Sequence, residues 1–458
     1  MKKAAFLITF AILITALVAF NKKEKEADKA VFIPPSEQRP GDPALGYRYL
    51  ITGDFLKSGL PYDFFIFASG KGKNYLKRDG KNATVDHGYN VVANADSMDI
   101  VIPTCLQCHA EVFDGKLYVG LGNSFLDLTN TGQRTKGLVA LKQWQTTAPK
   151  KYKAAKSFLE SLATVNPQME TEVRGVNSAD RLAAVLVAHR NPQTLVWSDS
   201  ALMDIPPVVV PTDVPAWWLL KKKNAMFYTA LGRGDFGKFL MLSNILTVTD
   251  SSEAREVNSH FGDVLAYIRS IQPPPYPYPV NKELAENGKV IFTNTCQRCH
   301  GTYGPDGQYP NLLIPGNIIR TDSLLFMSNQ QAKPFLDWFN NSWFAQNPNS
   351  AQLVPGNGYI APPLDGIWIT APYLHNGSVP TIEAVLNSKI RPTYWSRDFD
   401  KAEYDYEHIG WKYEQQEKPD GKKVYNTTLP GYGNYGHYFG DKLSNDERKA
   451  VIEYLKTL

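Results

Sequence analysis

Cysteine is scarce in this chain. Four occur among 458 residues, all in two short blocks, Cys105-Leu-Gln-Cys108-His109 and Cys296-Gln-Arg-Cys299-His300. None is left over, so a disulfide framework is excluded as the source of stability. Charge is nearly balanced: 49 Lys and Arg against 45 Asp and Glu leave a net +4. That excludes a strong electrostatic hold on nucleic acid. Long apolar runs are missing apart from Ala4–Phe20, 17 residues at the short edge of a membrane span. Methionine is absent after Met327, which removes the thioether as a soft donor from the last quarter of the chain.

What is present is a pattern used twice. Cys-x-x-Cys-His is the attachment site of a c-type haem: two thiols join the vinyl groups and the histidine becomes the proximal iron ligand. A zinc module would place its second pair about 15–20 residues after the first, whereas 187 residues separate Cys108 from Cys296. A thioredoxin-type pair needs no following histidine, and both pairs have one. The sequence therefore predicts two covalent haem c groups, on Cys105, Cys108 and His109 and on Cys296, Cys299 and His300.

The N-terminus fits export. Lys2 and Lys3 precede the apolar run as the charged start of a signal segment. Residues 1–26 read as a signal peptide or a retained anchor; no cysteine follows that could carry a lipid. Export matches haem c assembly outside the cytoplasmic membrane, so a periplasmic or other extracytoplasmic location is expected, with a membrane tether through the N-terminus as one outcome. Residues 27–45, charged and then rich in proline, read as a tether.

The predicted fold is mainly α: two cytochrome c-like haem domains with long loops and a few short β-strands. Helical periodicity marks 152–162, 179–189 and 253–271. Pro273-Pro-Pro-Tyr-Pro-Tyr-Pro279 cannot continue a helix and reads as a semi-rigid strut. It divides an N-terminal haem domain, 46–272, from a C-terminal one, 281–458, with 273–280 as linker. Lys282–Phe292 leads into the second pentad. Ser444-Asn-Asp-Glu447 reads as a capping box, followed by an apolar stripe of Val451, Tyr454, Leu455 and Leu458. Gly288 facing Tyr454 is the candidate crossing of the first and last helices of that domain.

The sixth iron ligand decides the chemistry of each haem. Two strong protein ligands make an electron carrier, and one open face allows oxygen or peroxide to bind. For the second haem the candidates are Met327, His375, His408 and His437. His375 is favoured because prolines on both sides stiffen its loop, Thr370-Ala-Pro-Tyr-Leu-His-Asn-Gly-Ser-Val-Pro380. After His109 the next histidine is His189, at a helix end where a structural role is the rule. The first iron is thus expected to be open, and to be the reactive one.

Two pentads joined by nearly two hundred residues, Pro363-Leu-Asp-Gly-Ile-Trp-Ile-Thr-Ala-Pro-Tyr-Leu-His-Asn-Gly-Ser378 and Asp213-Val-Pro-Ala-Trp-Trp-Leu-Leu-Lys-Lys-Lys223 resemble the bacterial di-haem cytochrome c peroxidase superfamily. The closest likeness is to its rubber-oxygenase-like branch. The resemblance covers roughly Tyr47 to Leu458. It implies a division of labour: His109 holds the reactive N-terminal haem, and His300 with His375 hold an electron-transfer haem. It also implies aromatic residues between or above the haems, which here are Trp217, Trp218, Phe227 and Tyr228. A calcium ion between the domains is typical of the peroxidases, and the electron donor would be a small cytochrome c or cupredoxin. Arg233 and Asp235, in Gly232-Arg-Gly-Asp-Phe236, are the candidates for charge near the open face.

Two departures matter. The second histidine that blocks the reactive iron in many di-haem peroxidases is missing after His109, and so is the methionine downstream of Ala371-Pro-Tyr. The expected function is a di-haem oxidoreductase of peroxidase type, reducing peroxide at the first haem. The competing expectations are an oxygenase cleaving an apolar unsaturated substrate and a plain electron-transfer cytochrome.

Overall fold

Thirty-one prolines and 33 glycines cut this chain into short elements, and the result is a helix-rich structure with several two- and three-stranded sheets. The computed structural model describes residues 29–131 and 136–458. The expected export segment, 1–26, and the first residues of the expected tether lie outside the described residues.

The N-terminal core forms around helices set up by local signals. Asp42 caps helix Pro43–Thr52 by accepting from the amides of Ala44 and Leu45, and Pro43 suits the first turn because its missing N–H would have no partner there. This helix lies on Phe261–Ser270, close enough that a Cβ on Gly46 would run into the Asp263 carbonyl. The periodic stretches at 152–162 and 179–189 form helices Pro149–Val165 and Ala179–Ala188. The stretch at 253–271 forms two helices, Ser251–Ser259 and Phe261–Ser270, divided at His260. Leu50, Ile100, Ile102, Leu106, Phe158, Leu186 and Phe261 fill the space between them. A three-stranded antiparallel sheet, with Asp99–Pro103 between Leu60–Pro61 and Tyr89–Ala93, runs directly into the first pentad.

At the C-terminal end, helices Lys282–Thr295 and Asn445–Leu455 cross. Asn281 caps the first, and Ser444 with Glu447 makes a complete capping box on the second. The crossing is at Gly288: a Cβ there would strike the Ala450 carbonyl and lie 3.0 Å from the Cβ of Tyr454. Only glycine permits that approach, and it seats the helix that carries the second pentad.

Two expectations about boundaries need correction. The described part of 27–45 is not a free tether. Val31–Phe32 pairs antiparallel with Leu312–Pro315, Ile33 is fully buried, and Arg39 makes an ion pair of 2.8 Å with Asp235. Buried apolar and charged groups hold it where a proline-rich composition suggested solvent. The proline strut does not separate two independent cores either. Trp338, Phe339, Trp343 and Phe344 follow it in sequence but pack into the N-terminal core, where Phe339 stacks on Phe239 at 5.3 Å. Phe113, Leu121, Ala216 and Trp218 precede it and join the C-terminal core. The strut itself is tied down, because Trp368 Nε1 donates to the Pro274 carbonyl at 2.8 Å.

Candidate functional site

The first pentad sits between two β elements. Thr104 accepts from the Leu106 amide and starts the short turn Cys105–Gln107, and Leu106 is a fully buried peg that fixes it. His109 then opens the hairpin Ala110–Phe113 and Lys116–Val119. The turn of that hairpin has left-handed Asp114 and Gly115, the pairing its twist requires. The His109 ring stacks on Trp217, centroids 4.7 Å apart and planes 20° from parallel. Burial pushes the His109 pKa down to about 4, opposed in part by the Pro215 carbonyl, although Nδ1 makes no hydrogen bond of good geometry. The ring is therefore neutral, which is the form that binds a metal.

The second pentad is delivered by a helix. Lys282–Thr295 ends at Cys296, and Gln297–His300 turns the imidazole inward. His300 Nδ1 lies 2.8 Å from the Pro362 carbonyl, which can only accept, so the proton is on Nδ1 and Nε2 is free. The His437 ring lies beside it, centroids 6.2 Å apart and planes inclined by 62°. A metal–imidazole bond is about 2.0 Å, and about 1.1 Å more reaches each ring centre, so two imidazoles on opposite sides of one metal stand about 6 Å apart. His437 is neutral as well: burial, then the charges of His300 and Arg391, push its pKa to about 3.

The structure distributes the expected ligand candidates differently from the sequence reading. His437, not His375, is the histidine whose ring neighbours His300. His375 is buried and its ring stacks on Tyr359 at 4.1 Å. Its Nε2 is 3.1 Å from the Tyr359 hydroxyl, whose single proton goes to the Asp322 carbonyl at 2.7 Å. His375 must then donate from Nε2, so that nitrogen is already engaged. The Ala371–Pro372 loop does hold a histidine rigidly, but within a polar cluster. The Asp213 amide donates to the His375 carbonyl, and the Tyr228 hydroxyl donates to the Asp213 carboxylate at 2.9 Å. Burial raises Asp213 to about 8 and Glu111 to about 7.

Both pentads open into one continuous cavity of about 2260 Å³, whose wall also includes His437, Trp217, Tyr228 and His375. Pockets for a single drug-sized ligand run about 300–1,000 Å³, so this one has room for more than one large group. Most of its wall is apolar, including Leu159, Leu162, Val165, Phe227 and Phe335. All four cysteines are free; burial lifts Cys105 to about 12 and both Cys108 and Cys296 to about 11. Two thiol pairs, each followed by a neutral imidazole, on the wall of a large apolar cavity fit covalent haem c.

The other expected residues divide. Trp217 stacks on the His109 ring and lies on the cavity wall. Trp218 is 1% exposed and its Nε1 donates to the Asp365 carbonyl at 2.8 Å. Tyr228 is on the cavity wall. Arg233 is not: it lies in Gly232–Gly234, paired with Ala351–Leu353, away from the cavity lining among the described residues. Asp235 caps helix Phe236–Leu240 and pairs with Arg39. Arg-Gly-Asp is a structural junction because its backbone is committed to a strand and a helix start. No group of three or more His, Cys, Asp or Glu able to hold a metal ion occurs among the described residues, so calcium gains no acidic cluster. Nor, among them, is any helix long and apolar enough to cross a membrane.

Comparison with known proteins gives a partial match. Residues 358–396 match the family described as RoxA-like, cytochrome c-like. The uncharacterised protein y4iJ of Sinorhizobium fredii (strain NBRC 101917 / NGR234) is 39% identical over an alignment of 147 residues, covering 28% of this chain and 24% of that protein. The uncharacterised protein y4iM of the same strain is 24% identical over 311 residues, covering 59% and 69%. The chain therefore spans about a quarter of the length of one of these relatives and about two thirds of the other. The family match supports a haem c cytochrome of the rubber-oxygenase-like branch, and an oxidoreductase.

Proposed function

We propose that this protein is an exported di-haem c oxidoreductase with unequal iron coordination, acting as an oxygenase on an apolar, unsaturated substrate. The observation that carries the reading is how the eight histidines are distributed. The His300 and His437 rings stand 6.2 Å apart between centroids, the spacing that one metal held by both would need. Of the eight, His109, His300, His375 and His437 line the cavity, and the Nε2 of His375 is taken up by Tyr359. No further histidine of the cavity wall is left to stand opposite His109.

A haem with a free axial side supplies oxygen or peroxide binding, and one with two imidazoles supplies electron transfer. The protein's part is orientation and exclusion of water. Pro362 fixes the tautomer of His300, and Trp217 packs flat on His109 and holds its ring plane. The apolar cavity wall favours an uncharged substrate. It reaches Ile205, Pro206, Pro207 and Val208, beside which Leu202 and Val208 are more than half exposed. An apolar mouth of this kind suits a hydrocarbon chain.

Peroxide reduction is the second reading. Its support is the aromatic run: Trp217 touches His109, and Trp218, next in sequence, bonds to Asp365, three residues after the Pro362 that holds His300. Such a run suits electrons entering from a small cytochrome c or cupredoxin. Arg233, the group expected to polarise peroxide in this reading, is not on the cavity wall. Incubation of the holoprotein with oxygen and an unsaturated polyisoprenoid, with carbonyl products followed by mass spectrometry, tests the two. Oxygen-dependent cleavage supports the oxygenase. Inertness towards the polymer together with turnover of peroxide and reduced cytochrome would transfer the assignment to the second reading.

A further inference from the structure

The segment carrying His437 is strained. His437 has φ +49 and Gly436 before it φ +83. Two successive left-handed residues, one of them not glycine, persist only where the surroundings over-determine them. Gly436 is pressed so closely on Arg320 and Thr321 that a Cβ would collide with their backbone. Within the loop itself the only regular element is the short turn Tyr438–Gly440 that follows.

Besides the His437 amide, which donates to the Ile319 carbonyl at 2.8 Å, and the Asn434 side-chain amide, which donates to the Pro392 carbonyl at 2.8 Å, one distant side chain restrains the loop. Arg391 Nη1 donates to the carbonyls of Asn434 and Gly436, both at 2.7 Å, and Nη2 donates to that of His437 at 3.4 Å. Nη2 also donates to Val385 at 3.0 Å, and Nε to Ala384 at 2.8 Å. A guanidinium has five N–H donors, and all five are used. Three grip the His437 loop and two grip the end of helix Ile382–Leu386, which packs on the turn after His437. The planar fork bridges loop and helix at fixed spacing, which a three-donor ammonium on a flexible stem does not.

We infer that Arg391 is a positioning residue for the sixth ligand: its guanidinium latches the His437 loop and keeps the imidazole within bonding distance of the second haem iron. The inference rests on the reading of His437 as that ligand. Without the latch the strained loop relaxes, and the imidazole leaves part of the population five-coordinate.

The test uses the holoprotein and electron paramagnetic resonance of its ferric form. In Arg391→Gln and in Arg391→Lys, the low-spin signal of the second haem should lose a substantial fraction of its intensity to a new high-spin signal. Added imidazole should restore the low-spin signal, which a general loss of structure would not allow. Thermal unfolding and the first-haem signal serve as controls for the fold. Full low-spin intensity in both variants would overturn the inference. If Arg391→Gln does not incorporate haem, Arg391→Lys alone decides, by the same two readouts. His437→Ala separates this inference from the reading beneath it. A second haem still low-spin in His437→Ala would overturn the ligand assignment itself. One made high-spin there, beside unaltered Arg391 variants, would overturn the latch only.

Discussion

Substitution at Gly288 tests the geometry that delivers the second pentad. Replacing a helix-interior glycine with alanine ordinarily stabilises by about 1 kcal/mol. Here the added carbon meets the Ala450 carbonyl, which is backbone and cannot rotate away, and the Cβ of Tyr454 at 3.0 Å. Overpacking of a close contact costs about 1–3 kcal/mol, so Gly288→Ala should be destabilised by up to about 2 kcal/mol despite its better propensity. Gly288→Val adds two methyls to the same contact and takes less from propensity, so its loss should reach about 3 kcal/mol. Guanidinium unfolding of the holoprotein, followed through the haem absorption and by circular dichroism, reads both. Lys289→Ala, on the exposed side of the same helix, is the control and should stay within about 0.5 kcal/mol of the parent. A Gly288→Ala protein stabilised by about 1 kcal/mol, as propensity alone would give, would refute the crossing.

Trp217→Ala should destabilise by about 3–5 kcal/mol as a large buried side chain is lost, and should alter the spectrum of the first haem while leaving that of the second unchanged; Trp217→Phe should retain most of both. His375→Ala and Tyr359→Phe should keep the second haem low-spin, and resonance Raman spin-state markers that changed in either would restore His375 as a ligand. Tyr359→Phe should still cost about 1–3 kcal/mol, since it strips a partner from His375 and from the Asp322 carbonyl inside the core. Glu111 titrates near 7 in the fold against 4.5 unperturbed because burial disfavours its charge. The folded state then holds its proton more tightly than the unfolded one, so stability falls as pH rises from about 4.5 towards about 7. Glu111→Gln should flatten that slope, and a denaturation series across the range that shows no difference from the parent would contradict it.

Local signals were legible in the sequence. The capping box at Ser444 and Glu447, the helix leading into Cys296 and the helices around 152–162 and 179–189 follow from short-range chemistry, and the structure has them. Gly288 was readable as a crossing because a helix-interior glycine needs a reason. Long-range effects were not legible. Proline on both sides of His375 signals a rigid loop, but rigidity does not distinguish a ligand from a histidine held by Tyr359. The His437 loop is held by Arg391, 46 residues away, and by the Ile319 carbonyl, and no spacing rule reports either. The left-handed Gly436 beside an imidazole was the available hint. Arg233 failed similarly: its strand partner, Gln352, lies more than a hundred residues on. Residues 333–353 crossed into the N-terminal core because Trp338, Phe339 and Phe344 find apolar partners there, which a boundary drawn at the prolines could not register.

The central claim is that the two irons are coordinated unequally, and electron paramagnetic resonance of the ferric holoprotein tests it most directly. The account predicts one high-spin and one low-spin haem in equal amounts, with His437→Ala converting only the low-spin one. Two low-spin signals in the parent protein, neither lost in His437→Ala, would contradict it.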